Sequence, residues 1–127
     1  MSIFLFNFKP RFAPKVESGA KRQTIRATRA DGRVPRPGDI AKCYTGLRTT
    51  KTRLLMAAPV VRCEPVRIDF EARTILVGAT LLIGPHLERF AKDDGFADAA
   101  EMFDWFHEPH GPDDFEGFVV QWLPDFL

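Results

Sequence analysis

The sequence predicts a small α+β fold, a mixed β-barrel with flanking helices. Three observations carry that expectation. Short apolar runs rich in Phe, Ile and Val recur along the chain and are separated by Gly and Pro. Helical patterning is concentrated late, between Pro85 and His107. The chain has 127 residues, the length of one domain that buries roughly two-thirds of its unfolded surface.

Ile3–Phe8 is rich in Phe and Ile and reads as the first strand. Lys9 to Ser18 reads as a short helix or turn, because Phe12 and Val16 lie four apart on one face. Gly19 ends it, as glycine does at a helix C′ position. Lys21–Gln23 follow as loop, and Thr24, Ile25 and Arg26 begin an extended segment. Arg29–Gly38 holds Gly32, Pro35, Pro37 and Gly38 and is a loop. Asp39–Tyr44 reads as a strand. Leu54–Phe70 is strand-like, with Val61 and Cys63 on one face and then Val66, Ile68 and Phe70. The change of phase at Pro65 predicts a bulge or edge break there.

Thr74–Ile83 is the clearest strand, with Ile75, Val77, Ala79, Leu81 and Ile83 on one face. Pro85 opens a short helix that buries Leu87, Phe90 and Ala91, and Gly95 stops it. Asp98 and Glu101 form a cap pair for a second helix to about His107, with Ala99, Met102, Phe103 and Phe106 facing inward. Gly117–Trp122 is the last strand.

An apolar content of 45% with twelve Phe excludes extended disorder. The net charge of +1 conceals an asymmetry. Residues 1–53 hold 13 Lys and Arg against 3 Asp and Glu, and residues 54–127 hold 5 against 14. Either the basic half faces a polyanion such as nucleic acid, or the two halves pair in the fold. Two cysteines, Cys43 and Cys63, fit a reduced compartment, and nothing demands a disulfide. The apolar run Ile3 to Phe6 is too short for a signal sequence, and no apolar stretch is long enough to span a bilayer. The chain therefore reads as cytoplasmic, with no membrane partner.

Gly19 to Arg26 is the most informative stretch. Lys21, Thr24 and Arg26 place an amine, a hydroxyl and a guanidinium together, and no carboxylate lies between Glu17 and Asp31. On a strand Lys21 and Thr24 face opposite ways; in a compact loop they converge. Lys21 is then either a solvated lysine or a group of shifted pKa, which Arg22 or Arg26 would lower and Asp94 would raise. Asp93 and Asp94 fall at a helix C-terminus, an unfavourable end for acids unless a cation such as Lys21 or Arg26 lies nearby. Alternatively Asp94-Gly95 is simply a turn. Tyr44 to Thr49 is a second polar cluster, in which Tyr44 offers a ring for stacking and Arg48 a phosphate contact, or else a strand end runs into a basic loop. Trp105 and Trp122 read as core.

No metal or cofactor is expected. His107-x-x-His110 straddles Pro109 and a helix end, and neither cysteine has a CxxC partner. The segment around Lys21 lacks the spacing of a phosphate-cradling loop, and no Gly-x-Ser-x-Gly elbow is present.

Arg11-Phe12, Gly19-x-Lys21-x-x-Thr24-x-Arg26 and Pro37-Gly38-Asp39 resemble the ASCH domain, a relative of the PUA-like RNA-binding barrels. Phe90 to Phe96 and the strand through Trp122 are similar to that family's late helix and last strand, so the resemblance covers nearly the whole chain. It implies a small PUA-like barrel with a cleft bordered by the Gly19–Arg26 loop. Some small bacterial members are amidohydrolases that deacetylate N4-acetylcytidine with a Lys, a Thr and a Glu. Lys21 and Thr24 fall on the first two positions, and Asp94 stands where those enzymes carry Glu. The acid is one methylene shorter, and a misplacement of about 1 Å costs on the order of 100-fold in rate. The resemblance therefore implies first a module that binds RNA or a modified nucleoside, or another single-stranded nucleic acid. Lys21, Arg22, Arg26, Tyr44 and Arg48 would contact that ligand. Amide hydrolysis by Lys21, Thr24 and Asp94 is the alternative.

Overall fold

The computed structural model describes residues 1–108 and 114–122 in full and the backbone of 109 and 110. Over these residues the protein is α+β, with a seven-stranded mixed sheet and three helices. In chain order they are β1 (Ile3–Phe8), α1 (Ala13–Ser18), β2 (Gln23–Ala27), β3 (Ile40–Thr45), β4 (Arg53–Asp69), β5 (Thr74–Val77), β6 (Thr80–Leu82), α2 (Gly84–Asp93), α3 (Ala99–His110) and β7 (Phe115–Trp122).

The 17-residue β4 organises the sheet. Its first half pairs with β3, its middle and second half with β7, and its end also with β5. β1 lies parallel to β3, in register from Ile3 opposite Ile40 to Phe8 opposite Thr45. β2 lies antiparallel to β7. One ladder path thus runs β1–β3–β4–β7–β2, and among the described residues no ladder joins β1 to β2. The space between those two strands is a seam, and the candidate site described below lies along it.

Strict alternation in β1 sends Phe4, Phe6 and Phe8 into the core and Ile3 and Leu5 outward. β4, β5 and β7 complete this core with Val60, Ile68, Ile75, Val119 and Val120, the last two buried on opposite faces of β7. α3 covers it with the four residues expected of its inner face: Ala99, Met102, Phe103 and Phe106. Its N-terminus is capped by Asp98, whose Oδ1 accepts the Glu101 N–H at 2.9 Å. The Glu101 side chain reaches Ala97 N–H rather than Asp98 N–H, one residue beyond the usual reciprocal bond. Asp98→Ala should cost about 1 kcal/mol in chemical denaturation.

Two local expectations need correction. β4 continues through Pro65, which lies opposite Phe118 and whose carbonyl accepts the Gly78 N–H at 2.8 Å. The register shift against β7 falls earlier, between Val60 and Arg62. Val61 is consequently outward, and Ala58 and Val60 are the buried pair. The extra residue of a bulge is inserted where pairing geometry demands it, and an exposed valine leaves no phase error to read. Thr74–Ile83 is two strands, because Gly78-Ala79 turns the chain back and pairs Leu76 with Leu81. Leu81 and Ile83 are therefore exposed rather than on a common inner face.

No helix among the described residues is long and apolar enough to cross a membrane.

Candidate functional site

The turn from α1 into β2 is pinned from both sides. Gly19 takes the left-handed conformation (φ +85°) and ends α1. The Lys21 N–H then donates to Lys15 O at 2.9 Å, and the Arg22 N–H donates to Asp93 O at 2.9 Å. Arg22 O in turn accepts the Trp122 N–H at 3.3 Å. Held between the end of α2 and the end of β7, the segment alternates: Lys21 and Gln23 point in, Arg22 out. Lys15 reaches over the turn and its Nζ donates to Gly95 O at 2.6 Å.

Lys21 is 3% exposed and Asp94, 73 residues later, is 2% exposed. Lys21 Nζ donates to the backbone carbonyl of Asp94 and stands 3.6 Å from its Oδ2. The opposite carboxylate oxygen, Oδ1, accepts from Gln23 Nε2 at 3.3 Å, and Gln23 Oε1 accepts from Gln121 Nε2 at 3.0 Å. Gln23 is thus a relay that satisfies a buried acid from inside the sheet. Lys21 also answers the unfavourable placement of acids at the end of α2, since its ammonium sits on the carbonyl of Asp94 just past the last turn. Arg22 does the same outside, 3.7 Å from Asp93.

Gly95 makes the packing possible. Its φ is +94°, and a Cβ there would lie 2.9 Å from Lys21 Cδ and 3.2 Å from Phe12 Cδ1. The pair Asp94-Gly95 is therefore both a turn and a packing unit: the acid meets Lys21, and the missing side chain lets the lysine pass.

Thr24 is 3% exposed, and its Oγ1 accepts from Arg26 Nε at 3.0 Å. Arg26 Nη2 spans the seam and donates to Asn7 O at 2.8 Å, on the free edge of β1. Its guanidinium rests over the rings of Phe8 and Phe6 at 5.0 and 5.4 Å. Lys21 Nζ stands 5.1 Å from the Phe12 ring centroid and 5.5 Å from that of Phe8.

These groups converge on one cavity of about 200 Å³, where Lys21, Thr24, Arg26 and Asp94 meet the aromatic walls of Phe8, Phe12, Phe96, Trp105 and Phe106. That is small beside the roughly 300–1,000 Å³ of pockets for drug-sized molecules. It suits a single planar group. Its polar edge offers an ammonium, a guanidinium, a carboxyl and a hydroxyl. Because the Thr24 oxygen already accepts from Arg26, its proton remains free to be donated.

Burial dominates the electrostatics. It lowers the Lys21 pKa, and Arg26 lowers it further, against the attraction of Asp94. It also pushes Asp94 up from 3.8 to about 6, against the opposing pull of Lys21, Gln23 and Arg26. The upward direction for Asp94 follows from the geometry: the lysine's hydrogen bond goes to the backbone carbonyl, so the carboxylate is only partly compensated. Cys43, buried near Arg26 and Lys21, is pushed up to about 12 and remains a thiol.

Of the residues singled out by sequence, Lys21, Thr24, Arg26 and Asp94 meet here. Arg22 is directed to the surface. Tyr44 lies on β3 opposite Asn7 and Leu54 and does not line the cavity. Arg48 lies in the loop after β3 and borders a different concavity. Trp105, expected in the core, is half-buried on the cavity wall, with Lys9 Nζ and Arg11 Cζ each 5.0 Å from its ring centroid. Trp122 is core. Gln23 and Asn7 were missed: the sequence places Gln23 in a loop, whereas it opens β2 and is fully buried. Among the described residues no group of three or more His, Cys, Asp or Glu is arranged to hold a metal ion, and the side chain of His110 lies outside them.

Comparison with protein-family models, with curated proteins and with solved structures finds no match to this chain.

Proposed function

We propose that this protein is an ASCH-like module that binds RNA or a modified nucleoside, with one base in the cavity beside the Gly19–Arg26 loop. The observation that carries the reading is the meeting of Lys21, Thr24, Arg26 and Asp94 at the rim of one aromatic-walled cavity. A nucleobase is planar, with apolar faces and a hydrogen-bonding edge, and such a site complements both. The finer view of the sheet as a PUA-like barrel belongs to the same proposal. Its support is the path that brings β1 and β2 to opposite sides of one seam, which Arg26 bridges through Asn7 O.

Calorimetric titration with cytidine, N4-acetylcytidine and short RNA tests the reading. Thr24→Val removes a hydroxyl of similar shape and should weaken nucleoside binding by about five- to tenfold. RNA affinity should fall steeply with added salt as counterions are released. Affinity that is flat in salt, together with no nucleoside binding, rejects it.

One observation favours hydrolysis as a second reading: burial holds the Lys21 amine toward its neutral, basic form in the same cavity as Thr24. Thr24 would attack the amide carbonyl of an acylated cytidine while Lys21 takes the hydroxyl proton and returns it to the departing cytidine amine; water would then hydrolyse the acyl ester left on Thr24. Arg26 would face the developing oxyanion. In the resting arrangement, however, the hydroxyl is held by Arg26 and the amine by Asp94. Turnover of N4-acetylcytidine that disappears in Lys21→Ala and in Thr24→Ala would establish this reading; absence of turnover in the wild type removes it.

A further inference from the structure

A second concavity, of about 330 Å³, lies farther along β1, beside its first three residues. Its floor includes Ile3 and Leu5, which are 52% and 50% exposed. Three arginines wall it, and they arrive from two separate segments. Arg29 and Arg33 come from the loop after β2 and hold their guanidinium groups 5.7 and 5.2 Å from the Phe4 ring centroid. Arg48 comes from the loop after β3, which is tied over β1 where the Leu47 N–H donates to Asn7 Oδ1 at 2.9 Å.

Among the described residues no carboxylate lines this concavity. The nearby acid, Asp31, stands 3.9 Å from Arg29 and accepts the backbone N–H of Arg33 at 2.9 Å, so it shapes the loop. Among the described residues neither Arg33 nor Arg48 forms an ion pair. Three guanidinium forks with so little counter-charge, two of them steadied on an aromatic ring, form a site for anionic oxygens. The row of cations over rings continues through Arg26, above Phe6 and Phe8, into the Lys21 cavity.

We propose that Arg29, Arg33 and Arg48 bind the phosphates of a single nucleic-acid strand whose base occupies the Lys21 cavity. The strand assignment rests on the base-binding reading of that cavity. Phe4 and Phe8 mark the two sites and are four residues apart on one strand, roughly 13 Å. At about 3.4 Å per stacked nucleotide, roughly four nucleotides bridge them. A dinucleotide fills the cavity without reaching the arginines; a pentanucleotide reaches both.

The test is fluorescence anisotropy with a labelled RNA dinucleotide and pentanucleotide, beside calorimetry with cytidine and N4-acetylcytidine. The wild type should bind the pentanucleotide at least about tenfold more tightly than the dinucleotide at low salt. The triple variant Arg29→Gln, Arg33→Gln, Arg48→Gln should lose that gain. Its slope of log affinity against log salt should fall by about 2, at roughly 0.7 per lost phosphate contact. Its nucleoside affinity should not change. All three side chains are exposed; should the triple variant fold poorly, Arg33→Gln alone should lower the slope by about 0.7.

Unchanged pentanucleotide affinity and salt slope in these variants overturns the proposal. So does a pentaglutamate peptide that binds as tightly as the RNA and is lost in the same variants, since the site would then serve an acidic peptide. If neither nucleoside binds but the pentanucleotide still loses affinity in the arginine variants, the phosphate site stands and the base reading of the cavity fails.

Discussion

Lys21→Met will destabilise the protein by about 3–5 kcal/mol, measured by urea denaturation at neutral pH. The buried Lys21–Asp94 pair contributes little net stability as a pair, because two desolvated charges offset their own attraction. Removing one partner is different. Methionine fills much of the lysine's volume, but Asp94 keeps its burial and loses both its cation and the donor on its carbonyl. The double variant Lys21→Met, Asp94→Asn should recover more than half of the loss, because the amide can still accept from Gln23. Equal losses in the single and double variants would show that packing rather than charge is at stake.

The same pair sets a pH dependence. Burial pushes the Asp94 carboxyl up to about 6 in the fold, against 3.8 for an unburied aspartate. Between those values the folded state holds a proton that the unfolded chain has released. The contribution of Asp94 to stability is therefore highest below 3.8, declines as pH rises to about 6, and is level above. The slope is at most about 1.4 kcal/mol per pH unit. Without Lys21 the acid's pKa rises further, so the window extends upward. The penalty of Lys21→Met should therefore be larger at about pH 8 than at about pH 5. A penalty that grows on acidification contradicts this assignment.

Gly117→Ala is the second large effect, expected at about 3 kcal/mol, the upper part of the range for overpacking. A Cβ at Gly117 would collide with the backbone carbonyl oxygen of Arg26 and lie 2.9 Å from its carbonyl carbon and 3.0 Å from Phe115 Cε1. Backbone has no rotamer to yield, so β2 must move away from β7. Thr24 and Arg26 travel with β2, and the hydrogen bond from Arg26 to Asn7 O is displaced. Binding at the cavity should therefore fall along with the melting temperature. A loss under about 0.5 kcal/mol, the level of an innocuous surface change, would mean that β2 is free to shift.

Much of the local structure was legible because its causes are local. Gly19 and Gly95 end helices through their own backbone freedom, and Asp98 caps the N–H three residues on. Alternation in Ile3–Phe8 and the inner face of α3 follow from the periods of strand and helix. The position of the bulge in β4 was not legible, since it answers to pairing with β7 rather than to anything at Pro65. The candidate site was legible in part. Lys21, Thr24, Arg26 and Asp94 were all marked as reactive types in a suggestive order, while Tyr44, Arg22 and Arg48 carried the same kind of signal and lie elsewhere.

By itself the chain determined its class, its helix ends, most of its strands and the identity of the groups with chemistry to offer. Each of those depends on neighbours within a few residues. Only the tertiary structure decided which cation is buried, which acid meets it across 73 residues, and that Trp105 walls a cavity instead of filling the core. The physical reason is desolvation. A lysine and an aspartate are ordinary surface residues until packing removes their water, and where packing does so depends on how β2, β7 and α2 come together.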